Sequence, residues 1–86
     1  MKEIILITAT WCTACHAMES WFFSVELPGI TFKAVDIAEA ENANLSSVPA
    51  ILFKENGEIV QTAFGAKGKA ELIRIIKSIW PEGKNE

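Results

Sequence analysis

The chain begins with an apolar run, Ile4-Ile5-Leu6-Ile7, that leads into Trp11-Cys12-Thr13-Ala14-Cys15-His16. The run reads as a buried strand, and the residues after Cys15 read as an amphipathic helix. The two cysteines therefore fall at a strand-to-helix junction. At their spacing both sulfurs lie on one side of the first helical turn, close enough to form a small disulfide ring. The unpaired N–H groups and positive dipole end of a helix stabilise a thiolate there. A thiol that ionises near neutral pH, with a second thiol beside it, is equipped for thiol–disulfide exchange. No other cysteine occurs in the chain, so neither is expected to belong to a larger disulfide framework.

The 86 residues suit one small domain, expected over residues 1–80 with a short polar tail at 81–86. Half the residues are apolar and grouped into periodic runs, which argues for a folded globule over a disordered chain. The net charge of −3 comes with scattered lysines and no basic stripe interleaved with aromatics, so no nucleic-acid partner is expected. The first apolar run is too short for a signal peptide and meets Trp-Cys rather than a small-residue cleavage site. No apolar stretch is long enough to span a membrane. The expected location is cytoplasmic, where a CxxC pair is more often catalytic or metal-binding than a permanent staple.

The periodicity predicts a strand over about Ile4–Thr8 and a helix over about Thr13–Val25, with Ala14, Met18, Trp21, Phe22 and Val25 on its buried side. Leu27-Pro28-Gly29 stops that helix. Thr31–Asp36 reads as a strand near the sheet edge, and Ala38–Leu45 as a short helix. Ala50-Ile51-Leu52-Phe53 and Glu58-Ile59-Val60 flank Glu55-Asn56-Gly57, and Asn-Gly between apolar runs is a strong hairpin signal because both turn positions want positive φ. A last helix over about Lys69–Trp80 places Leu72, Ile73, Ile76 and Ile79 on one stripe before Pro81-Glu82-Gly83. The order is β-α-β-α-β-β-α, an α/β fold. The crossover helix makes the first two strands parallel and the hairpin adds two antiparallel ones. A four-stranded mixed sheet with helices on both faces is expected.

Three motifs in this order carry a family resemblance. Ala9-x-Trp11-Cys12-x-x-Cys15, then Val48-Pro49 before Ala50–Glu58, then Phe64-Gly65-Ala66-x-x-Lys69-x-x-Leu72 together resemble the thioredoxin superfamily, in a shortened form without its extra N-terminal strand and helix. The resemblance spans nearly the whole chain. It implies that Cys12 is the exposed nucleophile that attacks a substrate disulfide, and that the more buried Cys15 resolves the mixed disulfide. It implies a cis peptide bond before Pro49, with Pro49 packed against the two sulfurs. It also implies that the backbone of Val48 pairs with an extended substrate segment, and that Trp11 and Gly65 wall the groove. No cofactor is implied. The partners implied are disulfide-containing protein substrates and a thioredoxin-reductase-like or glutathione-based reductant, acting on a monomer.

Two departures from the family pattern bear on chemistry. Leu6 stands six residues before Cys12, where thioredoxins carry a buried carboxylate, so the proton of Cys15 must go to water or another group. Thr13-Ala14 replaces the usual Gly-Pro between the cysteines, a pair that influences the redox potential.

Two alternatives stay open from the residues alone. A glutathione-coupled, glutaredoxin-like protein fits less well, because the chain has no tyrosine and lacks the Gly-Gly and acidic pair around Phe64–Ala70. A metal-binding module would use Cys12, Cys15 and His16, but closed zinc sites want four ligands and the chain holds no further cysteine or histidine. The Cys-x-x-Cys-His spacing also matches c-type haem attachment, for which Met18 lies too close to reach the opposite haem face. His16 reads as a solvated first-turn residue within reach of stabilising the Cys12 thiolate when protonated. Trp21 and Trp80 read as packing residues, Glu39 and Glu41 as a solvated helix face, and Phe64 as either core or groove wall.

Overall fold

The computed structural model describes residues 1–39 and 47–81. Four strands, β1 (Lys2–Thr8), β2 (Ile30–Asp36), β3 (Ala50–Glu55) and β4 (Glu58–Phe64), form one sheet in the order β2-β1-β3-β4. Among the described residues the α-helices are α1 (Thr13–Phe22) and α2 (Lys69–Ile79). β1 pairs parallel to β2 and antiparallel to β3, which pairs antiparallel to β4. The mixed sheet and its edge strand β2 match the sequence reading.

β1 is central because its apolar residues serve both faces. Ile4 and Leu6 sit opposite Phe53 and Ile51, while Ile5 and Ile7 sit opposite Leu52 and Ala50. Ile4, Leu6, Ile51 and Phe53 build the larger core with Met18 and Phe22 of α1 and Leu72 and Ile76 of α2. Both α-helices thus pack on this one face. Phe22 is fully buried and meets Phe32 edge-on at 5.4 Å between ring centroids, a geometry favoured by the ring quadrupoles. The opposite face buries Ile7, Ala50 and Leu52 beneath Val35, Ile37 and Val48. The helix expected there, Ala38–Leu45, lies mostly outside the described residues. Only a 3₁₀ turn, Ile37–Glu39, is described, with Asp36 Oδ1 accepting the Ala38 N–H at 2.8 Å and Glu39 exposed. Glu41 and the tail residues 82–86 also fall outside the described residues.

α1 ends at Phe22 rather than at Val25. The N–H and hydroxyl of Ser24 both turn to the carbonyl of Trp21, competing with the next helical turn, and Val25 is buried from the loop instead. On α2 the packed stripe is Leu72, Ile75, Ile76 and Ile79. Ile75 takes the place expected of Ile73, because a 3.6-residue turn brings Ile75 between Leu72 and Ile79. Trp80 closes the lower end of the core: its indole N–H donates to Glu55 Oε1 at 2.9 Å and its ring lies 6.4 Å from Phe53.

The hairpin forms as read, with Glu55 opposite Glu58, Asn56 at φ 55 and Gly57 at φ 87. β4 continues past Val60 to Phe64. Its register shifts once, Phe53 pairing with Gln61 and Lys54 with Ile59, so Val60 is the extra residue of a bulge. No helix among the described residues is long and apolar enough to cross a membrane.

Candidate active site

The C-terminal ends of parallel strands in α/β sheets are where sites collect, and the cysteines lie just beyond the end of β1. The chain leaves β1 at Ala9 and reverses in a turn closed by the Cys12 N–H donating to the Ala9 carbonyl at 3.0 Å. Cys12 is the N-cap of α1, with extended backbone at φ −100 and ψ 103. Serine, threonine and aspartate normally fill that position because a side-chain acceptor must take a free N–H. Here the acceptor is sulfur: Cys12 Sγ takes the Cys15 N–H at 3.1 Å. The first turn of α1 carries no acidic residue, so the helix dipole acts on that sulfur without a competing negative charge.

Cys12 and Cys15 are joined in a disulfide, their Cα atoms 5.3 Å apart. Cys15 has no exposed surface and Cys12 retains 7%. The order agrees with the sequence reading, but Cys12 is far more covered than an exposed nucleophile. Ala9, Ala14, Ile37 and Val48 pack around the two cysteines, and the disulfide turns the Cys12 sulfur inward to Cys15.

Pro49 is buried and its peptide bond to Val48 is cis. Val48 touches the cysteine cluster and also the core of the opposite sheet face. The Gly65 N–H donates to the Pro49 carbonyl at 2.9 Å, so the segment after β4 is tied to the segment before β3. Gly65 sits at φ 95. Trp11 is 74% exposed, next to Cys12 and outside all three apolar clusters. Phe64 is half exposed, its carbonyl accepting from Lys67 Nζ at 2.9 Å, which makes it a rim residue rather than core. Leu6 is fully buried in the helix-side core.

Sequence reasoning did not single out Ile37. It follows a strand on an irregular turn, and no periodicity marks it as a neighbour of cysteines more than twenty positions away. Among the described residues, no group of three or more His, Cys, Asp or Glu side chains is placed to hold a metal ion.

A disulfide between the N-cap and third residue of a helix, at the strand ends of a mixed sheet, defines a dithiol–disulfide centre, and the protein is a thiol–disulfide oxidoreductase with Cys12–Cys15 as its redox-active pair. The family model described as Thioredoxin matches residues 2–78. A thioredoxin H-type 2 from Nicotiana tabacum is 31% identical over 83 residues, covering 87% of this chain and 70% of the relative. A thioredoxin from Chlamydia trachomatis is 32% identical over 74 residues, covering 79% of this chain and 72% of the relative. A mutant thioredoxin from Halobacterium salinarum shares the fold, with a TM-score of 0.79 at 22% identity over 90% of this chain and 73% of that one. The chain belongs to the thioredoxin family. Membership implies, in general, disulfide-bearing protein substrates and a reductase partner.

Proposed function

We propose that the protein reduces disulfides in other proteins, with Cys12 as the attacking sulfur and Cys15 as the resolving one. The observation that carries this reading is the asymmetry at the head of α1. Cys12 alone keeps exposed surface and its sulfur receives a helix N–H, while Cys15 is fully covered. In the dithiol form the Cys12 thiolate attacks one sulfur of the substrate disulfide. A bond forms between Cys12 and that sulfur, and the other substrate sulfur leaves as a thiolate, taking a proton from solvent. Cys15, losing its proton, then attacks Cys12 Sγ. The Cys12–Cys15 bond forms, the mixed disulfide breaks, and the second substrate thiol is released. Two electrons pass from protein to substrate, and an external reductant restores the dithiol.

Val48, Pro49 and Gly65 form the floor and far wall against which an extended substrate segment lies, with Trp11 on the near side. The buried position of Pro49 and its bond from Gly65 support a fixed floor. The reading further takes the protein as a monomer in the cytoplasm, recharged by a thioredoxin-reductase-like or glutathione-based reductant, as one domain over residues 1–80.

Incubation with an oxidised protein substrate tests the division of roles. Cys15→Ser should accumulate a mixed disulfide that added reductant releases, and Cys12→Ser should accumulate none. Equal trapping by both variants would overturn the roles.

A further inference from the structure

The ring of His16 reaches back from α1 to the turn that delivers Cys12. Its Nε2 lies 3.0 Å from the Thr10 carbonyl oxygen, and its Nδ1 lies 3.7 Å from Glu19 Oε1. Thr10 is an interior residue of the Ala9–Cys12 turn. The turn's own bond uses the Ala9 carbonyl, which leaves the Thr10 carbonyl free for an outside donor. A carbonyl only accepts, so the ring carries its proton on Nε2 when it makes this bond. The bond fixes the plane of the Thr10–Trp11 peptide. That peptide sets where the Trp11 side chain stands and how the chain enters Cys12.

We propose that His16 is a positioning residue for the disulfide exchange. Through the Thr10 carbonyl it holds the turn in the orientation that presents Trp11 and the Cys12 sulfur to substrate. The proposal rests on Cys12 being the attacking sulfur. The reasoning is geometric: attack on a disulfide needs the incoming sulfur aligned with the bond it breaks, and a turn free to flip its central peptide loses that alignment part of the time. The His16 side chain is 57% exposed and lies outside the apolar clusters, so its removal acts on the turn and not on the core.

Side-chain length supplies the test. A glutamine amide nitrogen reaches about as far from the backbone as Nε2, whereas an asparagine amide reaches only as far as Nδ1. Each of His16→Gln, His16→Asn and His16→Ala is made in the Cys15→Ser background, and the rate of mixed-disulfide formation with insulin is followed. His16→Gln should stay close to the parent. His16→Asn and His16→Ala should each be slowed about fivefold, the worth of one neutral hydrogen bond, with all melting temperatures unchanged. Equal rates for glutamine and asparagine, or no slowing in any variant, would overturn the proposal. Nitrogen NMR of the neutral ring in the unmutated protein provides a readout without substitution: the Nε2–H tautomer is expected, and the Nδ1–H tautomer would also overturn it. Trapping by Cys12→Ser in parallel would instead remove the premise about the attacking sulfur.

Discussion

The amide of Gly65 donates to the carbonyl of Pro49 at 2.9 Å, joining the end of β4 to the loop that covers the cysteines. Both segments belong to the same side of the site, yet the fifteen residues of β3, the hairpin turn and β4 separate them. The bond requires Gly65 to hold φ 95, a conformation that costs other residues about 1 kcal/mol or more. Space is not the constraint, since a Cβ at Gly65 would meet nothing within 4 Å.

Gly65→Ala should therefore destabilise the fold by about 1 kcal/mol through backbone conformation alone, a fall of about 4–8 °C in melting temperature for a domain of this size. Calorimetry checks the fall. Activity on protein disulfides should decline at temperatures well below the transition as the tie between Gly65 and Pro49 loosens.

Trp11 is mostly solvent-exposed, so its ring is available to a partner and adds little to the core. Trp11→Ala should leave the melting temperature within experimental error of the parent. It should raise KM for a protein disulfide about tenfold, the scale of a truncated interface tryptophan, with little change in the reaction of a small aromatic disulfide. A matching loss on both substrates would mean that the ring acts on Cys12 and not on substrate.

The first turn of α1 is free of acidic residues, and Thr13 is exposed beside Cys12. In the reduced protein the Cys12 thiol should be alkylated by iodoacetamide at pH values where an ordinary cysteine reacts slowly, because helix N–H groups stabilise the thiolate. Thr13→Asp adds a negative charge at that helix end and should slow alkylation at neutral pH about threefold, the size of a helix-terminus charge effect. Timed alkylation followed by mass spectrometry resolves the difference.

Phe22 joins α1 to the sheet and to Phe32. Phe22→Ala should cost about 3–5 kcal/mol, combining lost transfer energy with a residual cavity. Denaturant unfolding should show the midpoint falling with little change in slope. A loss of only about 2 kcal/mol would mean that the core collapses around the vacancy and leaves the transfer term alone.

Much of this architecture is written in local pattern. Ile4–Ile7 announces a central strand because apolar residues on both alternating positions need cover on both faces. Asn56-Gly57 announces its own turn because these residues adopt positive φ cheaply. Cys12 and Cys15 stand one helical turn apart, and the reversal after Ala9 puts them at a helix start. These features depend on neighbours within a few residues, so they survive as sequence signals.

Other features depend on chain segments that meet only after the sheet closes. Val25 reaches the core from the loop after α1, without helical geometry. Ile75, not Ile73, joins Leu72 and Ile79 in the packed stripe of α2, a choice made only when the helix meets the sheet. Ile37 and Val48 enclose the cysteines from two distant segments, and the reach of His16 to Thr10 follows from how tightly the Ala9–Cys12 turn folds against α1. The sequence alone determined the order of the chemistry-bearing elements along the chain and the identity of the two sulfurs, since both follow from periodicity and spacing. Only the tertiary structure decided how covered each sulfur is and which polar groups brace the turn before them, because burial and long-range hydrogen bonds belong to the packed whole and not to any single segment.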